Sequence, residues 1–440
     1  MKLFCYSLLL ASLLTAQPSA AQSVSRTGTP AAAVQPTVLH GPYLQQVTPT
    51  SIQIRWRTDI PATSRVDLFS DRKKTQKIVS DDKLVTEHEV RLDGLKPATK
   101  YFYSFGDKTS VTPADDQFFV TAPKTGATDE VRFWVLGDFG NSSQTQADVR
   151  DAVMKESRRP DLWVWLGDNA YSKGKDEEFE KHVFDVYGQT HFKNLPFYCI
   201  PGNHDYGGQR TDFNIPYFNL FTMPTAGEAG GVPSGSESYY AFDYGNVHFV
   251  ALDSYGKLDG THFLWDTTGR QVEWLKKDLA ANKQPWTIVV LHHPPYTKGS
   301  HDSDREKDLV AIRQNLVPIL ERYQVDLVLS GHSHVYERTH PIRGHYGLVD
   351  TFEPKNIVSA AVEGDTKEYR VGNGKQGIIY IVAGSGGQRG GQAAGWPMPA
   401  AVYSNNTEGG SLLIDVKKTR MQVRWLCQDG KVRDDFSILK

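Results

Sequence analysis

Val131-Arg132-Phe133-Trp134-Val135-Leu136-Gly137-Asp138 reads as a buried strand that stops at a glycine and a carboxylate. Residues 143–158 are polar and alanine-containing, and read as a helix. Leu162 to Leu166 is a second strand, and it also stops at a glycine and a carboxylate, Gly167-Asp168. Strand, helix and strand in this order form a β-α-β unit, which builds a parallel sheet with a right-handed crossover. Phe197 to Ile200 adds a third strand and leads into Pro201-Gly202-Asn203-His204-Asp205. The chain must turn sharply there, and Gly202 permits the turn at no Cβ cost.

The same logic continues toward the C-terminus. Residues 206–238 are rich in Gly, Pro and aromatics and read as a long loop; 239–243 and 247–253 read as a strand pair. Val272, Leu275 and Leu279 place an amphipathic helix over 269–282. Thr287 to Leu291 is a strand ending at His292-His293, and residues 304–323 are a helix kinked at Pro318. Val325 to Leu329 is a strand ending at Gly331-His332-Ser333-His334. Ile378 to Ala383, a glycine-rich loop over 384–395, and strands near 411–416 and 421–427 complete an α/β domain over 129–440. Its expected core is a mixed, two-layered sheet sandwich flanked by helices.

Upstream the pattern is all-β. Ser51-Ile52-Gln53-Ile54-Arg55-Trp56-Arg57 alternates with period two, so Ile52, Ile54 and Trp56 face one core. Thr86 to Leu92 and Tyr101 to Phe105 are further strands. Leu95 to Tyr101 is similar to the corner of a fibronectin type III sandwich, where a tyrosine hydroxyl bonds back to the chain just upstream. The expected sandwich spans 38–122, and its plain reading is a structural or positioning role.

Composition narrows the function classes. The 440 residues suffice for two or three domains. Hydrophobic residues make up 39% and charged residues 23%, an ordinary globular balance, and a net charge of -2 offers no basic field for nucleic acid. Lys2, the apolar run Leu3 to Leu14 and Ser19-Ala20-Ala21 read as a signal peptide over 1–21, cleaved after Ala21. Residues 22–37 read as a linker. The apolar run is too short for stable membrane insertion, so a secreted or periplasmic protein is expected. Cys199 and Cys427 read as two separate buried thiols.

Five strand ends carry the chemistry: Asp138; Asp168 with Tyr171; Asn203 with His204; His292; and His332 with His334. Ligands of open α/β sheets sit at such carboxyl ends. Singly, each residue has a plain structural reading, Asp138 and Asp168 as caps and the histidines as loop or core residues. Separate structural roles would not bring them all to successive strand ends. Oxygen and imidazole donors with one shared carboxylate suit two metal ions a few Å apart, and such a pair clamps the oxygens of an in-line displacement at phosphorus.

In order, Gly137-Asp138-Phe139-Gly140, Gly167-Asp168-Asn169-Ala170-Tyr171, Gly202-Asn203-His204-Asp205, Val289-Val290-Leu291-His292 and Gly331-His332-Ser333-His334 resemble the five blocks of the metallophosphoesterase superfamily. Tyr171 and the run Gly331 to Arg338 make the chain similar to purple acid phosphatases, and the resemblance includes the N-terminal sandwich. It implies Fe(III) held by Asp138, Asp168, Tyr171 and His334. It implies a divalent Fe, Zn or Mn ion held by Asp168, Asn203, His292 and His332. The implied reaction is hydrolysis of small phosphate monoesters by a metal-bound hydroxide, with His204 and His301 as candidate proton donors. Where plant-type members have another histidine beside the position of His301, this chain has Asp302, a carboxylate that would repel a phosphate unless protonated or turned away. His293, Glu337 and Arg338 read as supporting residues. A phosphodiesterase or phytase on the same scaffold is the alternative within enzymes; a catalytically dead binding protein is the alternative outside them.

Overall fold

The computed structural model describes residues 35–71, 74–113, 115–258, 260–358, 367–370 and 377–440. The expected signal peptide and the linker as far as residue 34 lie outside the described residues.

Five strands open the described chain: β1 (Val38–Gln45), β2 (Ser51–Phe69), β3 (Thr75–Asp93), β4 (Lys100–Gly106) and β5 (Phe118–Val120). Ile52, Ile54 and Trp56 are buried with Val66, Leu68, Leu92, Tyr103 and Phe119 in one apolar cluster. β2 is long because it serves two neighbours in turn. Its first half pairs with β1 and its last five residues, Arg65 to Phe69, pair with β4. The ladder to β3 slips between Arg57 and Ser64, around Pro61. Proline lacks the N–H a ladder needs, and such irregularities bend a strand. At the expected corner the Lys96 backbone N–H donates to the Tyr101 hydroxyl at 2.9 Å.

The α/β part contributes β6 (Val131–Leu136), β7 (Leu162–Trp165), β8 (Phe197–Cys199), β9 (Tyr240–Tyr244), β10 (Val247–Leu252), β11 (Trp286–Leu291) and β12 (Leu327–Ser330). There follow β13 (Tyr336–Thr339), β14 (Glu368–Arg370), β15 (Ile379–Ala383), β16 (Ala401–Asn405), β17 (Gly410–Lys417), β18 (Arg420–Cys427) and β19 (Val432–Leu439). β6, β7 and β8 run parallel, as the β-α-β pattern predicts, with the helix Gln144–Met154 as the first crossover. β10, β11, β12 and β15 are parallel in a second, 7-stranded sheet. Aromatic side chains fill the space between the sheets: Tyr198 stacks on Phe242 at 3.8 Å between ring centroids, and Phe133 meets Phe249 edge-on at 4.9 Å.

β1 also adds to β8, through Gln45 and Phe197, so the sandwich strands and β6–β8 belong to one 12-stranded sheet. The polar residues between the core positions of β2 are consequently buried as well. Arg55 donates to Thr222 Oγ1 and to the Asn219 carbonyl, both at 2.7 Å, and the Tyr43 hydroxyl donates to the Leu220 carbonyl at 2.6 Å. These bonds tie the sandwich to the chain that follows the His204 loop.

The expected helix over 304–323 is two helices, Lys307–Asn315 and Val317–Arg322. The break falls before Pro318, whose ring crowds the carbonyl four residues earlier. β1, β5, β13, β14, β16 and β19 have no counterpart among the strands expected from the sequence. Cys199 and Cys427 are free and buried.

His248 lies buried between two carboxylates, with Nδ1 2.8 Å from Asp243 and Nε2 2.8 Å from Asp278. Burial alone would lower its pKa; the bonds and charges of Asp243 and Asp278 override this and raise it to about 9. A folded-state pKa above the unfolded value stabilises the fold fully below about pH 6.5 and is lost as pH rises through about 9. The contribution is on the order of 3 kcal/mol. Urea unfolding of the wild type should therefore show stability falling between pH 6.5 and 9, and His248→Gln should lose that slope.

Candidate metal centre

The expected strand-end residues converge on one place. Asp138, Asp168 and His332 each take up left-handed backbone, with φ of 58°, 51° and 66°. Such a conformation costs a non-glycine residue about 1–3 kcal/mol and persists only where neighbours enforce it. The neighbours here are one another. The His332 backbone N–H donates to both Asp138 carboxylate oxygens, at 3.0 and 2.8 Å. The Asp138 N–H donates to the Gly167 carbonyl at 3.0 Å, and the His204 N–H to Asp168 Oδ1 at 2.8 Å. Two glycines allow this crowding. A Cβ on Gly202 would lie 2.2 Å from Asp168 Oδ1, and one on Gly331 2.3 Å from Asp138 Oδ2. Gly202 is thus required by the approach of a carboxylate; its φ lies outside the left-handed region, so the turn itself does not demand glycine.

Around Asp168 the side chains form two groups. On one side the Tyr171 hydroxyl lies 3.0 Å from Asp138 Oδ1, 3.3 Å from Asp168 Oδ2 and 3.1 Å from His334 Nε2. On the other, His292 Nε2 lies 3.2 Å from Asp168 Oδ2 and 3.1 Å from Asn203 Oδ1, and His332 Nδ1 is 3.0 Å from the same Asn203 oxygen. Ligand atoms of Asp168, His292 and His332 all lie within 4.8 Å of one another.

The donor chemistry fits cations. His292 Nδ1 donates to the Leu166 carbonyl at 2.8 Å, so a neutral ring would turn a lone pair at Nε2 toward two oxygens that are themselves acceptors. Electron pairs facing one another in a buried site need positive charge between them. The pKa shifts express the same demand. Burial disfavours the imidazolium of His292, yet Asp168 and Asp138 raise its pKa to about 9. Burial would raise the Asp168 carboxyl, but His292 and His204 hold it below the usual range. Burial, then Asp138 and Asp168, push Tyr171 well above the ordinary phenol, so only a strongly charged cation would draw off its proton.

His204 borders the group, half-exposed. Its Nδ1 donates to the Ser172 carbonyl at 2.6 Å, and its Nε2 lies 3.9 Å from Asp168 Oδ2. His301 lies 3.7 Å from His332 between ring centroids. Asp302 is bound to Lys298 Nζ at 2.7 Å, which offsets its charge. His293 is buried and bonds to Ser254 Oγ at 2.9 Å. Glu337 accepts from Thr297 Oγ1 at 2.5 Å, and burial raises its pKa to about 7. Arg338 points to Asp434, with bonds of 2.6 and 2.8 Å.

Two residues of this region escaped the sequence reading. Glu306 touches His301 and His332. Asp205 is buried and accepts from the Gly202 N–H at 2.7 Å and from the Asn169 backbone and side-chain amides, each at 3.0 Å. It thereby ties the Asp168 turn to the Asn203 turn. Burial and the Asp168 charge raise its carboxyl pKa against the pull of those donors. Its only sequence signal was position, next to His204. Asp205→Ala leaves three buried donors without their acceptor and should cost about 2–4 kcal/mol in urea unfolding. Asp205→Asn keeps one acceptor oxygen and should recover part of the loss; equal stability of Ala variant and wild type would show that the turns are held otherwise.

Comparison with known proteins places the chain. The family model "Purple acid Phosphatase, N-terminal domain" matches residues 41–122, and "Calcineurin-like phosphoesterase" matches 131–336. Purple acid phosphatase 23 of Arabidopsis thaliana is 31% identical over 285 residues, 58% of this chain and 58% of the relative. Purple acid phosphatase 21 of the same plant is 30% identical over 73% of this chain and 63% of its own length, so the chain spans under two thirds of either relative. Acid phosphatase type 7 of Homo sapiens is 27% identical, with 99% of this chain and 96% of the relative aligned. A purple acid phosphatase from yellow lupin (Lupinus luteus) shares the fold, with a TM-score of 0.70 at 18% identity over 92% of this chain and 74% of that one. Two matching domain models in the right order, one of them named for purple acid phosphatases, and relatives of that name in sequence and in fold lead to one conclusion: the chain belongs to the purple acid phosphatase family of calcineurin-like phosphoesterases.

Proposed function

We propose that this chain is an exported phosphatase that hydrolyses small phosphate monoesters at a binuclear metal centre. The observation that carries the reading is the convergence of six electron-pair donors around the shared, buried Asp168, with two histidines bordering them. Asp138, Asp168, Tyr171 and His334 would hold Fe(III), for which a phenolate oxygen is a suitably hard donor. Asp168, Asn203, His292 and His332 would hold a divalent Fe, Zn or Mn ion. When bound, such a pair lowers the pKa of water and offsets the charge of a phosphate.

The remaining work falls to the protein. Ser172 holds the His204 ring by Nδ1, leaving Nε2 to give a proton to the leaving alkoxide. His301 is the second candidate for that role, and the Lys298–Asp302 pair keeps the neighbouring carboxylate from repelling the substrate. The sandwich would hold the His204 side of the site through Arg55 and Tyr43. Export rests on Lys2, Leu3 to Leu14 and Ser19-Ala20-Ala21. No helix among the described residues is long and apolar enough to cross a membrane.

The purified protein should be pink to purple from a phenolate-to-iron transition and should lose that colour in Tyr171→Phe. A colourless, iron-free protein of full activity would refute the ferric assignment and leave the phosphatase reading standing. His204→Ala should lower kcat by about 100-fold or more with both metals retained; loss of metal instead would make His204 a ligand. Activity measured on monoesters, diesters and phytate, together with metal analysis, tests the reading as a whole. Turnover of none of them would favour a binding protein.

A further inference from the structure

Glu306 stands at the head of the helix Lys307–Asn315, outside the converging ligands, yet its carboxylate reaches two imidazoles. Oε1 lies 2.8 Å from His301 Nδ1 and Oε2 lies 3.3 Å from His332 Nε2. The Asp302 backbone N–H also donates to Oε1, at 3.1 Å. Ligand atoms of His301, Glu306 and His332 lie within 4.8 Å of one another. The segment that carries Glu306 is fastened to the His332 turn at two further points. The His334 N–H donates to Ser300 Oγ at 2.9 Å, and Ser333 Oγ lies within hydrogen-bond distance of Thr297 Oγ1, also at 2.9 Å.

A carboxylate is acceptor-only, so each imidazole must meet it with an N–H. For His332 this puts the proton on Nε2 and turns the lone pair of Nδ1 toward Asn203 Oδ1, 3.0 Å away. For His301 it puts the proton on Nδ1 and leaves Nε2 as the nitrogen able to meet a substrate. We propose that Glu306 is a positioning residue that sets both rings at once, orienting His332 as a donor to the divalent ion and His301 as a group facing the substrate. Metal-binding histidines commonly owe their orientation to such an outer carboxylate, and its loss typically costs 10–100-fold in metal affinity. The unusual element here is the sharing: one side chain couples occupancy of the metal site to the placement of a proton donor. The inference rests on the ligand assignment proposed above.

The test uses the full-length protein and Glu306→Gln, nearly isosteric but able to accept from only one of the two rings. The divalent-ion dissociation constant is measured with Zn(II), and kcat and KM are measured at saturating Zn(II). In Glu306→Gln, Zn(II) should bind about 10-fold or more weakly, with the Tyr171 colour band unchanged. At saturating Zn(II) the variant should still have a reduced kcat. His301→Ala should lower kcat without changing the Zn(II) dissociation constant. Adding Glu306→Gln to His301→Ala should weaken Zn(II) binding while lowering kcat no further. Wild-type Zn(II) affinity in Glu306→Gln overturns the inference even if the protein is an active phosphatase. If the wild type binds Zn(II) but turns over no ester, the phosphatase reading fails while the affinity comparison still decides the role of Glu306 toward His332. Full additivity of the two changes on kcat overturns the shared positioning of His301.

Discussion

Asp168 is a carboxylate buried in the middle of a crowd of electron-pair donors, and the architecture around it serves to keep that arrangement from relaxing. Its Oδ2 faces Tyr171 and His292, while its Oδ1 accepts from the His204 backbone. Left alone, such a group would be expelled or would take up a proton. It is held by turns in left-handed backbone, by glycines that admit a carboxylate where a Cβ would collide, and by N–H donors aimed at both aspartates. Each device costs free energy locally. Together they make sense around positive charge, which is why the donor set fits a metal pair better than any set of independent hydrogen bonds.

The two sheets supply the rigidity this needs. β6, β7 and β8 end on one side of the site and β11 and β12 on the other, and the aromatic layer between the sheets sets their separation. Backbone strain can be maintained at the strand ends because the strands behind them are fully buried and do not yield. The sandwich joins the same framework. β1 extends the sheet from β8, and Arg55 and Tyr43 bind the chain just beyond the His204 loop.

Outside the converging side chains, charge is arranged in pairs that quiet one another. Lys298 is bound to Asp302, and Arg338 to Asp434; Glu306 is shared between two imidazoles. Each of these acidic side chains has a bonded partner, a cation for Asp302 and Asp434 and two rings for Glu306.

The amino-acid sequence by itself determined the strand ends and what stands at them. A buried strand must be apolar and the turn after it polar, so Val131 to Asp138, Leu162 to Asp168 and the histidine turns could be read from local pattern alone. The alternation Ile52, Ile54, Trp56 was legible for the same reason, as were the helix at Val272, Leu275 and Leu279 and the tyrosine at the sandwich corner. Tertiary structure alone decided which groups meet. Asp205 and Glu306 are ordinary acidic residues in sequence, and their work lies in partners 36 and 26 positions away. Gly202 looked like a turn residue and is a clearance for Asp168. Asp302 looked like an obstacle and is neutralised by Lys298. Strands β13, β16 and β19 carry no periodicity strong enough to announce them and form because neighbouring strands offer unpaired backbone. Periodicity records which face of an element is buried; it does not record what that face is buried against, and proximity between distant side chains exists only once the sheets have closed.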